Sequence, residues 1–190
     1  MKKILLLGAL VMLASACQGQ PVYQYDYTNS QVPTSPVPHP VGRMMKLKVA
    51  VIALNDDGKN GPKVGCGDSV VYISKTVPDS AEPLHAAFGQ LFALPGEQIS
   101  DPAYSDLYNV IYKLQHKSSG KPLAFSDVLL AGGTAKIYLT GDMTGLGGIC
   151  DSPRVQAQIE QTALQFSTVK SVAVYLNGKL VDWKNFGSQK

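Results

Sequence analysis

Residues 123–141 read LAFSDVLLAGGTAKIYLTG, two β-prone runs on either side of Gly132-Gly133. A Gly-Gly pair supplies positive φ at both central positions of a two-residue hairpin turn, so the stretch predicts two antiparallel strands. The residues after this hairpin decide the class. MTGLGGICDSPR (143–154) is a glycine-rich loop, and SPRVQAQIEQTALQF (152–166) predicts a helix with Ser152 at its cap and Pro153 at its first position. Val155, Ile159, Ala163 and Phe166 recur at helical spacing as its buried face. VKSVAVYLNGKLVDW (169–183) then returns as a strand, an Asn177-Gly178 turn and a short second strand.

Upstream of the hairpin the same alternation of types holds. MKLKVAVIAL (45–54) predicts a strand whose Leu47, Val49 and Val51 are interleaved with further apolar residues, so both of its faces are expected to be covered. NDDGKNGP (55–62) breaks it as a turn-rich loop, and DSVVYISKTV (68–77) is a second strand. PDSAEPLHAAFGQLFALPG (78–96) predicts a helix capped by Asp79 or Ser80, with Leu84, Ala87, Phe88, Leu91 and Phe92 on one face and Pro95-Gly96 ending it. DPAYSDLYNVIYKLQ (101–115) reads as a helical segment in which Tyr104, Tyr108 and Tyr112 share a face with Leu107 and Ile111, a packing stripe. The order strand, strand, helix, helical segment, hairpin, helix, hairpin predicts an α+β fold: a small mixed or antiparallel sheet with two main helices packed on one face.

The first 42 residues are of a different kind. Met1-Lys2-Lys3 precedes ILLLGALVMLASA, an apolar run too short to span a membrane and built like an export signal. The run ends at Leu13-Ala14-Ser15-Ala16-Cys17, which resembles the lipobox of bacterial lipoproteins, so residues 1–16 are expected to be a signal peptide and Cys17 the point of lipid attachment. Residues 17–42 are rich in Pro, Ser, Thr and Gln and are read as a tether, including YQYDY (23–27) and His39; residues 43–190 form one domain. The chain carries a formal charge of +3, and losing Lys2 and Lys3 with the signal leaves the mature protein near neutral. That gives no electrostatic case for nucleic acid. The expected location is the non-cytoplasmic side of a bacterial membrane.

Export changes how the remaining cysteines read. KVGCGDSVVYI (63–73) sets Cys66 between two glycines, a position open to a nucleophile, a metal ligand or half of a crosslink. With Cys17 lipidated, Cys66 and Cys150 are left as a pair, and an even pair in an oxidising compartment is expected as a disulfide. A thiol nucleophile needs a base, and outside the tether the histidines are His85, on the first helix, and His116, in a polar turn. A Cys66–His85 dyad is the enzymatic alternative, and a weak one. Zinc spacings are absent, and Asp56, Asp57 and Asn60 lack the length and closing glutamate of a calcium loop. GLGGICDSPR precedes a helix as a phosphate cradle does, but lacks the Lys-Ser/Thr of a P-loop, and Arg154 repels the positive helix end. No cofactor is expected.

Val64 to Val181 resembles the GerMN domain, first known from spore-germination and sporulation proteins. The resemblance is carried by VGCGDSVVYISKTVP, PLHAAFGQLFAL and VLLAGGTAKIYLTGDM, and most strongly by GGICDSPRVQAQIEQTALQFSTVKSVAVYLNGKL. It implies a noncatalytic α+β module on an exported, often lipid-anchored envelope protein that works through protein contacts. The family supplies no catalytic residue. This chain has one copy where the founding proteins have two, and no germination role is transferred. The expected partners are the membrane, through the lipid, and an envelope protein; the alternative is peptidoglycan or another envelope ligand.

Overall fold

The computed structural model describes residues 42–146 and 148–184. The expected signal, Cys17, YQYDY, His39 and the rest of the tether through Val41 lie outside the described residues. β1 (Met44–Ala53), β2 (Lys63–Val64) and β3 (Asp68–Pro78) open the domain. β1 and β3 pair antiparallel from Met44–Pro78 to Ala53–Ser69. Val49 through Ala53 are all buried, as expected of a strand covered on both faces. α1 (Pro83–Phe92) comes next, with Pro83 in its first turn and Leu84, Ala87, Phe88 and Leu91 buried. Ser80 Oγ accepts the Glu82 N–H rather than capping the helix itself.

β4 (Gln98–Asp101), β5 (Tyr104–Tyr108) and α2 (Val110–Gln115) replace the single helical segment expected over 101–115. Tyr104 and Tyr108 lie on a strand and Tyr112 on a helix, so the tyrosine stripe does not exist. The physical reason is local. Asp106 takes a left-handed φ of 53°, and Asn109 caps the short helix by accepting the Tyr112 N–H at 3.3 Å.

β6 (Ala124–Ala131) and β7 (Thr134–Thr140) form the predicted hairpin, with φ of 57° at Gly132 and 79° at Gly133. α3 (Gly148–Leu164) then crosses over to β8 (Ser171–Leu176), which lies parallel to β7, and Asn177-Gly178 turns the chain into β9 (Lys179–Leu180). α3 begins four residues before the expected cap at Ser152, leaving Pro153 inside the helix. Asp151 in the new first turn favours that start, because a carboxylate there faces the positive helix end. No helix of the described residues is long and apolar enough to cross a membrane.

The fold is α+β, with its strands divided between two sheets, β2-β3-β1-β5-β4 and β6-β7-β8-β9. α1 packs against β1 and β6, and α3 against β1 and β8, so one core runs through Val49, Val51, Phe88, Leu91, Ile137, Leu139, Ile159 and Val174. The division stems from how the free edge of β1 is closed. β5 reaches β1 only at Ile52 and Ala53. Beyond them, α3 side chains bond the strand's backbone in place of another strand. Gln158 Nε2 donates to Ala50 O at 3.0 Å, Thr162 Oγ1 accepts from Ala50 N at 3.0 Å, and Gln165 bonds both polar groups of Lys48. A covered edge recruits no further strand. Gln158 also accepts the Val110 N–H at 2.9 Å and donates to Asn109, which donates to Leu94 O, so the buried amides are satisfied together.

Candidate functional site

The sequence directed attention to Cys66 and Cys150, and the structure joins them in a disulfide with Cα atoms 5.7 Å apart across 84 positions of chain. Cys66 sits in a tight turn, Gly65–Gly67, between β2 and β3, while Cys150 lies in the first turn of α3. Close approach of these elements is what Gly65 allows: a Cβ there would lie 3.0 Å from Pro153 Cγ. Beneath the bond runs a chain of charges. Asp68, buried, accepts the Asn55 N–H at 3.1 Å and both Nε and Nη2 of Arg154 at 2.7 Å. Arg154 Nη1 reaches Asp151 at 3.1 Å, Asp151 takes Lys113 Nζ at 2.8 Å, and the guanidinium lies 5.4 Å from the Tyr108 ring centroid.

Two carboxylates and two cations balance, which answers the expected repulsion between Arg154 and the helix end. Burial alone lowers the Arg154 guanidinium, and its bonds to Asp68 and Asp151 reverse that into a net rise. The Asp151 hydrogen bond likewise holds the Lys113 ammonium above its usual value, and burial pushes the Tyr108 phenol up. Every buried side-chain nitrogen and oxygen among the described residues has a partner. The cluster is thus a closed latch of paired charges that ties the Cys66 turn, α2 and the start of α3 together.

The other candidates are placed apart. His85 faces Asp127, Nε2 to Oδ1 at 3.9 Å, and the Phe125 ring at 5.1 Å. Cys66 is oxidised, so no thiol–histidine dyad forms. His116 stacks on Tyr112 at 3.9 Å. Asp56 bonds Asn60 and Asp57 pairs with Lys63, so both acids of the 55–62 turn are engaged by nearby side chains. Among the described residues no three His, Cys, Asp or Glu side chains gather as metal ligands do.

A different surface emerges from the second sheet. Ala135, Ile137, Leu139 and Val174 point into the core, so the alternating residues Lys136, Tyr138 and Tyr175 face the other way and stay partly exposed. Tyr138 and Tyr175 are register partners, stacked with ring centroids 5.2 Å apart. Leu129 and Leu180, paired with Lys136 and Tyr175, flank them at 53% and 63% exposure. An open groove of about 450 Å³ at one end is lined by Ser126, Asp127, Tyr138, Thr140, Asn177 and Gly178. Sequence reasoning missed this face, although the alternation in TAKIYLT and SVAVYL carried the signal for it: both tyrosines fall on the phase opposite the buried residues.

No family model and no curated sequence matches the chain. Among solved structures it is similar to the tandem GerMN domains of the sporulation protein GerM from Bacillus subtilis, with 18% sequence identity and a TM-score of 0.48 over 77% of this chain and 43% of that one. The chain therefore matches less than half the length of that protein.

Proposed function

We propose that the protein is an exported cell-envelope lipoprotein, anchored through Cys17, whose single noncatalytic domain binds or scaffolds another protein. The observation that carries this reading is the outer face of the second sheet, where the Tyr138–Tyr175 stack lies between exposed Leu129 and Leu180. Aromatic residues bordered by aliphatic ones suit a protein surface. The disulfide favours a non-cytoplasmic compartment, and the signal-like start of the chain agrees with it.

A photo-crosslinking residue in place of Tyr138, with another in place of Ser74 on β3 as control, tests the surface in living cells. Capture of one discrete protein from position 138 and not from 74 is expected; equal capture from both would end the reading. Palmitate labelling that disappears in Cys17→Ala tests the anchor separately. The groove beside Tyr138, with Asp127 and Thr140 on its walls, favours a second reading, an envelope polymer such as peptidoglycan. Sedimentation with purified cell wall, lost on Tyr138→Ala, would favour it over the first.

A further inference from the structure

The turn that carries Cys66 and the helix that carries Cys150 make the two sulfurs unequal. Cys66 is solvent-exposed, and a side chain added at neighbouring Gly67 would meet no heavy atom within 4 Å, so the space beside it is open. Its backbone is left-handed, with φ of 67° and ψ of 23°, a conformation that residues other than glycine, asparagine and aspartate adopt uncommonly. Cys150 is the third residue of a 17-residue helix and only partly exposed. A thiolate at that end is stabilised by the helix N-terminus, which makes Cys150 the better leaving group. Ile149, next to it in the chain, is an apolar side chain 88% exposed.

We propose that Cys66 Sγ is a site of thiol–disulfide exchange with a dithiol of another protein. The incoming thiolate attacks Cys66 Sγ, the bond to Cys150 breaks, and its electron pair leaves on Cys150 as a thiolate. The product is a mixed disulfide between Cys66 and the partner, with Ile149 as an apolar rest for the partner's surface. The partner's second thiolate then attacks its own sulfur in that mixed bond, and Cys66 leaves as a thiolate that takes a proton from water. Two electrons have moved: the partner's dithiol is oxidised and the Cys66–Cys150 bond is reduced. Opening the bond lets Cys66 abandon its left-handed backbone. The turn stays seated on α3 through the Arg154–Asp68 ion pair. The exchange does not depend on the lipid anchor or on the sheet face.

The test uses the full chain carrying Cys17→Ser, exposed to reduced glutathione at pH 8 without denaturant, quenched with acid at early times, and mapped by peptide mass spectrometry. Glutathione is expected on Cys66 in about tenfold excess over Cys150, at a rate that sub-denaturing urea leaves unchanged. Adducts mainly on Cys150, or a rate that rises with the unfolded fraction, would overturn the assignment. Far-UV circular dichroism of the reduced protein is expected to stay native, and a collapsed spectrum would equally overturn it.

Discussion

Replacing Cys66 and Cys150 together by serine opens a loop whose ends lie 84 positions apart in the chain. In the chain-entropy account, closing a loop of about 85 residues removes about 15 cal/mol/K from the unfolded chain, or about 4–5 kcal/mol at 25 °C. The native side of the balance should change little, because the Arg154–Asp68 pair still holds the turn against α3. With a urea slope of about 2 kcal/mol per M, the unfolding midpoint is expected to fall by about 2 M. Trp183, the one tryptophan of the sequence, packs partly buried against the core and reports the transition by fluorescence, with far-UV circular dichroism as a second probe. Midpoints within about 0.3 M of each other at equal slope would refute the reasoning. A loss well above about 5 kcal/mol would refute it too, since native contacts would then have to go with the bond. The same quantity bears on exchange: a bond that steadies the fold demands a more reducing partner, while exposure of Cys66 governs how fast that partner reacts.

Three further outcomes are expected. Arg154→Ala leaves Asp68 buried without its cation and should cost about 3–5 kcal/mol in urea unfolding, with Arg154→Lys in between because a lysine cannot bond Asp68 and Asp151 in the same planar fashion. Gln158→Leu strands the Ala50 carbonyl and the Val110 N–H in the core and should cost about 2–4 kcal/mol by thermal unfolding, a loss that Gln165→Ala, at an exposed bond to Lys48, should not match. Hydrogen bonds from Lys117, Thr144 and the Lys121 N–H hold the Asp142 carboxyl well below the ordinary carboxylate range. Its folded value being depressed, Asp142 stabilises the fold fully above its unfolded value of about 4, and that contribution is lost as pH falls below it. Asp142→Asn should therefore flatten the acid limb of a stability–pH curve below about pH 4 and leave the slope above about pH 5 unchanged.

Local chemistry made much of the fold legible. Gly132-Gly133 and Asn177-Gly178 dictate two hairpin turns because few other pairs accept positive φ at both central positions. The spacing of Leu84, Ala87, Phe88 and Leu91, and of Val155, Ile159 and Ala163, marks two buried helix faces that the structure reproduces. Where the reading failed, a short-range pattern had two meanings. Tyr104, Tyr108 and Tyr112 are spaced as on a helix, yet Asp106 and Asn109 interrupt that period by backbone geometry a spacing rule does not see. The start of α3 moved because Asp151 favours a first turn ahead of Ser152.

By itself the sequence determined the α+β class, the hairpins and the helix faces, since each depends on residues within about a dozen positions. Tertiary structure alone decided that the strands split into two sheets. Gln158, Thr162 and Gln165 look like an ordinary polar helix face until β1 lies against them, and only then do their side chains take the place of a strand. It likewise decided that Arg154 meets Asp68 across 86 positions and that Tyr138 stacks on Tyr175. Hydrogen bonds and ion pairs between distant residues form only once packing has brought them together, so the latch and the exposed face are properties of the fold and not of any segment that composes it.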